Sequence, residues 1–323
     1  FDWNAPFSRT QRSVKNIAFQ QRAQTMFEAV GLVPCYVIDQ AVLEDDYAVD
    51  YFRSLRSRGC AEIGVHLHPW LTPPYGEELT AANSFHGNLP RQLEAEKIKT
   101  ITELFTQKMG EAPTIFKAGR YGLGGNSYGL LKEAGYLVDL SPVPMGTYSQ
   151  IGGPDYRSAP VQPFWADEDC RLLSVPLTRS IVGGVGRMVP AGLFDAPWAK
   201  ALKLPGLLSR LQLAERITLT PEGVDKAALN RLLDHQWQQN NPVLSLAYHS
   251  SSLMVGGSPY SQEQKDVEKI LDRLQAILDT ILEKGGQFSS PNQLYHDCQE
   301  DGNYDDPIDI NDYCDNEPCH FMR

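Results

Sequence analysis

The sequence predicts an α/β fold, a mostly parallel sheet with helices packed outside it. Three observations lead there. Short apolar runs alternate with longer helical patterns, a glycine follows most of the helical stretches, and the alternation repeats four times before residue 141. Repetition on this scale suits a barrel or a doubly wound sheet. In both, ligands bind at the C-terminal ends of the strands, so strand-end residues are the ones that matter for chemistry.

The elements follow in order. Residues 20–30 read as a helix closed by Gly31, and residues 32–38 (LVPCYVI) as a short buried strand. Residues 48–58 form a helical pattern with Val49, Phe52 and Leu55 on one face, stopped by Gly59. Residues 62–68 (EIGVHLH) are a second strand, ended by Pro69. Residues 90–109 are a longer helix, with Pro90 in its first turn and Gly110 after its end. Residues 114–118 make a third strand, 127–134 a helix before Gly135, and 137–140 a fourth strand. Residues 152–219 break the rhythm. They are rich in glycine, proline and aromatics, and read as an insertion or long loops holding one or two strands (residues 172–177). Thr220-Pro221-Glu222 is expected to cap a helix running to about residue 236. Residues 243–248 are a further strand. Residues 261–284 carry a core stripe from Val267 to Ile281, with Ser261 and Gln264 at capping-box spacing.

Composition narrows the function classes. The chain has 323 residues, 42% of them hydrophobic and 21% charged, which is ordinary for a protein with a packed core. Its net charge of -11 argues against a nucleic-acid backbone or an anionic membrane as partner, since both call for basic patches. No apolar run approaches the roughly 20 residues of a membrane span. No export signal is visible in the first twenty residues, which favours a cytoplasmic location as an expectation. Nine acids and one base lie between Asp297 and Arg323, so residues 291–323 read as a solvated acidic tail beyond a main domain of residues 1–290. The six cysteines form no CxxC, which disfavours a structural zinc site.

Three strand ends carry candidate chemistry. In His66-Leu67-His68 the two imidazoles are two residues apart on a strand, so they point to one face and reach one volume. Two neutral imidazoles there suit a borderline cation such as zinc. Ala118-Gly119-Arg120-Tyr121-Gly122 places an arginine at the next strand end, where it needs an anion or a carboxylate; Asp139, ending the fourth strand, is the expected partner. Tyr248-His249-Ser250-Ser251-Ser252 places a histidine at a strand end, suited to general acid or base work. A serine-hydrolase reading through Ser250 or Ser251 is also open, although no GxSxG elbow surrounds them.

These segments, in this order, resemble the polysaccharide deacetylase (NodB-homology) superfamily, in particular its bacterial deacetylase-like branch. The resemblance rests on residues 62–70 with Thr72-Pro73-Pro74, Asn88-Leu89-Pro90, Lys117 through Gly122, Gly135-Tyr136 through Asp139, and His249 through Leu253. It implies a distorted (β/α)7 barrel. It also implies one divalent metal, usually zinc, held by two histidines and an aspartate, and hydrolysis of an N-acetyl or O-acetyl group on a carbohydrate. By motif position His66 and His68 correspond to the metal pair, Arg120 and Asp139 to the arginine and its orienting aspartate, and His249 to the general acid. The Tyr121 backbone N–H is the expected oxyanion donor, and Trp70, Trp165 and Trp198 are the expected sugar-contacting rings.

Two departures stand beside the resemblance. The family's histidine motif has three residues between its histidines and this chain has one. The family's Asp-rich first strand has no counterpart ahead of the residue-20 helix, where Phe1-Asp2-Trp3-Asn4 resembles the loop after such a strand. Asp2, as base, and Asp39, as metal ligand, are the carboxylates expected to serve in its place. A glycan-binding protein without catalysis on the same fold is the alternative.

Overall fold

A computed structural model describes residues 7–301. Asp2 and the part of the acidic tail from residue 302 onward lie outside the described residues. The main sheet has six strands in the order β1 (Cys35–Ile38), β2 (Glu62–Leu67), β3 (Ile115–Ala118), β4 (Val138–Asp139), β6 (Leu173–Ser174) and β5 (Phe164–Trp165). All neighbours are parallel except β5, which is antiparallel to β6. β7 (Arg179–Val182) and β8 (Glu215–Thr218) pair as a separate antiparallel ribbon.

Parallel strands need crossovers, and helices supply them. α1 (Gln21–Ala29) precedes β1; α2 (Gln40–Leu43) and α3 (Asp46–Ser57) join β1 to β2; α4 (Arg91–Met109) joins β2 to β3; α5 (Ser127–Glu133) joins β3 to β4. The α3 face predicted from Val49, Phe52 and Leu55 is buried and packs with Val65, Leu67, Ile98, Ile101 and Phe116 in the largest core cluster. Gly110 ends α4 in the left-handed conformation that favours glycine. Two short helices, α6 (Pro197–Ala201) and α7 (Leu204–Arg210), occupy the aromatic-rich stretch.

The last third corrects two sequence expectations. α8 spans Lys226–Gln238, with the Asp225 side chain accepting from the Ala228 N–H, so the cap is Asp225 and not Thr220. α9 spans Gln264–Glu283 and starts with a reciprocal Glu263–Asp266 capping box, so Ser261 lies outside it. Its stripe from Val267 to Leu278 is buried as expected; each such side chain contributes about 1.5–3 kcal/mol of hydrophobic stabilisation. The chain ends its described part in α10 (Pro291–Asp301), which is anchored rather than free. Ser290 Oγ and the Asn292 N–H both donate to the Glu62 carboxylate, and Tyr295 and Cys298 are buried against Trp165 and Leu173. Packed structure therefore continues past the expected boundary at residue 290.

Residues 243–248, expected as a strand, are extended but outside the strand ladders. The Thr178 N–H donates to the Ser245 carbonyl at 3.0 Å, and the Ala247 N–H to the Leu219 carbonyl at 3.4 Å. These bonds join the segment to the β6 side of the sheet, and place His249, which follows it, at the end where β1 and β2 terminate.

Candidate active site

β2 and β3 run side by side with His66 opposite Lys117. The His66 and His68 rings lie edge to face, their centroids 4.4 Å apart, as the two-residue spacing predicts. Nδ1 of His66 is 3.0 Å from the Lys117 carbonyl oxygen, which can only accept, so that nitrogen carries the proton and Nε2 keeps its lone pair. Burial holds both imidazoles neutral. His66 is pushed well below the usual histidine range by burial and by its neighbour His68, and His68 is pushed down to about 3 by burial and by His249. The close seat of His68 depends on Gly119: a Cβ there would lie 2.4 Å from His68 Nδ1. After Gly119 the chain takes two consecutive residues, Arg120 and Tyr121, into the left-handed region (φ 54° and 62°), a conformation costly for side chains with a Cβ.

Asp39 follows β1 and is the neighbour of His66 across the sheet. Burial raises its pKa, and His66 opposes that rise. Its Oδ1, however, accepts from the Val42 N–H at 3.1 Å and caps α2. Among the described residues no group of three or more His, Cys, Asp or Glu side chains is arranged to hold a metal ion. The donor chemistry of the imidazole pair suits zinc, but the described residues do not complete a ligand set, and no reaction step is derived through a metal.

The second histidine centre was only half visible in the sequence. The His249 Nδ1–H donates to Glu222 Oε2 at 2.9 Å, and the His249 backbone N–H donates to Glu222 Oε1 at 2.9 Å. Ser252 Oγ donates to the same carboxylate. These bonds hold the Glu222 carboxyl below its usual range against the effect of burial. Glu222 is nearly buried (6% side-chain exposure), whereas His249 is half exposed (48%). That combination fixes the ring's tautomer and keeps the imidazole half exposed. Glu222 had been assigned to a helix cap; no spacing rule joins it to a histidine 27 positions away. Ser250 Oγ accepts from Asn16 at 2.6 Å, and the serine that donates to Glu222 is the buried Ser252, so Ser250 is not the serine joined to the dyad.

Three further expectations are corrected. Arg120 and Asp139 do not pair. The Arg120 guanidinium lies over the Phe85 ring (4.4 Å) and donates to Ser84 Oγ, while its left-handed backbone turns it away from β4. Asp139 is buried and accepts from the Ser141 N–H (3.1 Å), Ser141 Oγ and Ser174 Oγ (3.1 Å), with Lys117 as its nearby cation. Burial dominates and raises the Asp139 pKa to about 6; Lys117 is in turn lowered to about 8. Trp70 and Trp165 are both 2% exposed and cannot stack on a sugar. Trp70 backs His68, with ring centroids 4.4 Å apart, and Trp165 packs edge-on to Tyr295. Trp198 is the exposed tryptophan of that stretch. Tyr121 is half-buried, its ring under Lys117 Nζ (5.1 Å), and its carbonyl accepts from the Tyr156 hydroxyl.

Solved structures share this arrangement of elements. The crystal structure of Puue allantoinase aligns with a TM-score of 0.52 and 16% identity, over 87% of this chain and 72% of that one. A probable polysaccharide deacetylase from Pseudomonas aeruginosa PAO1 aligns with a TM-score of 0.50 and 14% identity, over 90% of this chain and 74% of that one. The likeness is one of fold. The chain has the α/β fold with a parallel sheet seen in the deacetylase-type (β/α)7 barrels, as the sequence resemblance implied. No family model and no curated protein sequence matches it. Among the described residues no helix is long and apolar enough to cross a membrane.

Proposed function

We propose that the chain is a carbohydrate deacetylase, hydrolysing an acetyl group, N-acetyl by preference, from a sugar of a bacterial surface polysaccharide or its precursor. One observation carries the proposal. A half-exposed His249, oriented by a buried carboxylate, shares a strand end with a neutral imidazole pair on a deacetylase-type fold. Amide hydrolysis needs a proton delivered to the departing amine. With Nδ1–H committed to Glu222, His249 offers Nε2 as the atom that takes up and releases that proton, and Glu222 stabilises the imidazolium. The Tyr121 backbone N–H remains the proposed donor to the developing oxyanion. One divalent ion, zinc by donor type, belongs to the proposal as a ligand of His66 and His68.

The test is acetate release from N-acetylglucosamine oligomers, together with metal analysis of the purified chain. Acetate release lost in His249→Ala, and a bound divalent ion lost in His66→Ala with His68→Ala, support the reading. Absence of acetate release from any N- or O-acetylated glycan removes it. Glycan binding without catalysis is the second reading, favoured by the incomplete metal set among the described residues. It predicts sugar binding indifferent to chelators.

A further inference from the structure

β7 and β8 are joined by residues 183–214, a lobe that includes α6 and α7. The lobe has a small core of its own. Leu208 of α7 packs with Ile181, Phe194 and Ala214, and the Val185 N–H donates to the Leu213 carbonyl at 2.9 Å. Its outer side is unlike the rest of the surface. Met188, Trp198, Leu202, Leu207, Leu211 and Leu213 are all exposed. Five of them are among the six most exposed large apolar side chains of the described residues, led by Met188 at 83% and Leu202 at 73%. Trp198 and Leu202 lie four positions apart at α6, and Leu207 and Leu211 four apart at α7, so each pair shares one helix face. Single exposed apolar residues need no explanation; six within one lobe mark an interaction surface.

The charge of the lobe also departs from that of the chain. Arg187, Lys200, Lys203 and Arg210 are exposed. The one acid of residues 183–214, Asp195, is held by Arg216 of β8 at 2.6 Å and does not neutralise them. Four bases therefore stand among the apolar residues of this lobe, in a chain of net charge -11. The total charge argued against an anionic membrane, but attraction to a charged surface is decided within a Debye length, about 8 Å at physiological salt. Locally the sign is reversed. Leucines and a tryptophan beside lysines and arginines suit the boundary of a bilayer: the apolar groups enter the headgroup layer, and the basic side chains lie along them with their charges on anionic headgroups. A second copy is a poor occupant, because a two-fold contact sets the same four bases against themselves. We propose that residues 183–214 form a docking surface for an anionic lipid bilayer, with Trp198, Leu202, Leu207 and Leu211 entering the headgroup layer. The contact is one of attachment to the bilayer surface, not of spanning, and it does not depend on the deacetylase reading.

The experiment is flotation of the full chain with vesicles of equal parts phosphatidylglycerol and phosphatidylcholine, and with vesicles of phosphatidylcholine alone. The expected result is flotation with the anionic vesicles, reversed by added salt, and little with phosphatidylcholine. Lys200→Glu with Lys203→Glu and Arg210→Glu should weaken partitioning about 100-fold or more. Trp198→Ser with Leu207→Ser should weaken it about tenfold or more, with an unchanged melting temperature because both side chains are exposed. Tryptophan emission should shift to the blue when anionic vesicles are added, and Trp198→Phe should abolish that shift. Four results overturn the proposal. The chain fails to float with anionic vesicles; it floats equally with both kinds; its flotation is undiminished by either set of substitutions, which puts the contact elsewhere; or sedimentation shows a dimer that the same substitutions dissociate, which makes a second copy the occupant.

Discussion

Two histidine–glutamate pairs in this molecule have the same Nδ1–oxygen distance, 2.9 Å, and opposite surroundings. His86 and Glu94 are both fully buried; Ser127 Oγ also donates to Glu94, and the Gly124 N–H donates to Ser127. His249 and Glu222 share the bond length, but His249 is half exposed and stands at a strand end beside His68. A carboxylate that orients an imidazole is therefore not in itself a catalytic sign. What separates the pairs is access and company: one stitches the residue-86 turn to α4 and α5, and the other presents a ring to whatever enters.

The contrast is broken most forcefully by swapping losses. His249→Ala is expected to lower acetate release by about 10²–10⁴-fold, the usual worth of a positioned acid, at a smaller stability cost than His86→Ala, because the residue-249 backbone N–H and Ser252 Oγ still donate to Glu222 and the vacated, half-exposed position admits water. His86→Ala should do the reverse. It leaves the Glu94 carboxylate buried without its histidine partner and costs about 3–5 kcal/mol of stability, with activity per folded molecule retained. Acetate assays paired with denaturant titrations read both. Equal losses of stability in the two variants would erase the distinction.

How far this contrast was legible from the sequence depends on range. Strands and helices that bury one face announce themselves by period, so β1 to β4, α3, α4 and α9 were readable, as was the meeting of His66 with His68 across one intervening residue. Long-range partners were not. Glu222 sits beside Thr220 and Pro221, a credible helix start, and Asp225 three residues later took the cap. Nothing local ties Glu222 to His249. The Arg120–Asp139 pair failed because a left-handed backbone at Arg120, invisible in composition, sends the guanidinium to Phe85. Trp70 and Trp165 failed because a tryptophan in a loop-like stretch such as Pro69-Trp70-Leu71 or Phe164-Trp165-Ala166 reads alike whether it faces water or core. The strand character of residues 243–248 was visible, but its place outside the strand ladders was not, because pairing is a property of the assembled sheet.

A buried cation extends the comparison to the loop behind the histidines. Lys97 Nζ donates to the carbonyls of Pro69 (2.9 Å), Thr72 (2.7 Å) and Pro74 (2.7 Å) and pairs with Glu77. Burial lowers its pKa against the effect of Glu77. Lys97→Met leaves three carbonyls and a nearly buried carboxylate unsatisfied, and should cost about 3–4 kcal/mol in a denaturant titration. Because the loop carries Trp70, which backs His68, that variant should also weaken zinc uptake. Gly119→Ala acts on the same ring from the β3 side. Its methyl would meet both His68 Nδ1 (2.4 Å) and the Leu67 carbonyl oxygen (2.5 Å), so the ring and the end of β2 must both shift; zinc affinity should fall about tenfold or more by titration with a competing chelator, with a stability loss of about 1–3 kcal/mol. Unchanged zinc affinity in Gly119→Ala would show that His68 is not a ligand.

Asp139 gives the smallest and most gradual effect. Its folded pKa, about 6, lies above the ordinary aspartate value of 3.8, so the folded state holds the proton more tightly than the unfolded chain does. The sign follows: the stabilisation from protonated Asp139 is fully present below about pH 4 and is lost as the pH rises through 6. Over that window the loss is on the order of 1–3 kcal/mol. Asp139→Asn keeps an acceptor for Ser141 and Ser174 without the charge, so its stability should be flatter between pH 4 and 6 than that of the parent chain. A carboxyl resonance titrating near 6, absent from the variant, assigns the slope to this residue. Lys117 sharpens the point, since its attraction keeps the Asp139 pKa from rising further. In Lys117→Met the same resonance should titrate higher, and a midpoint that does not move would remove Lys117 as the partner that replaces Arg120.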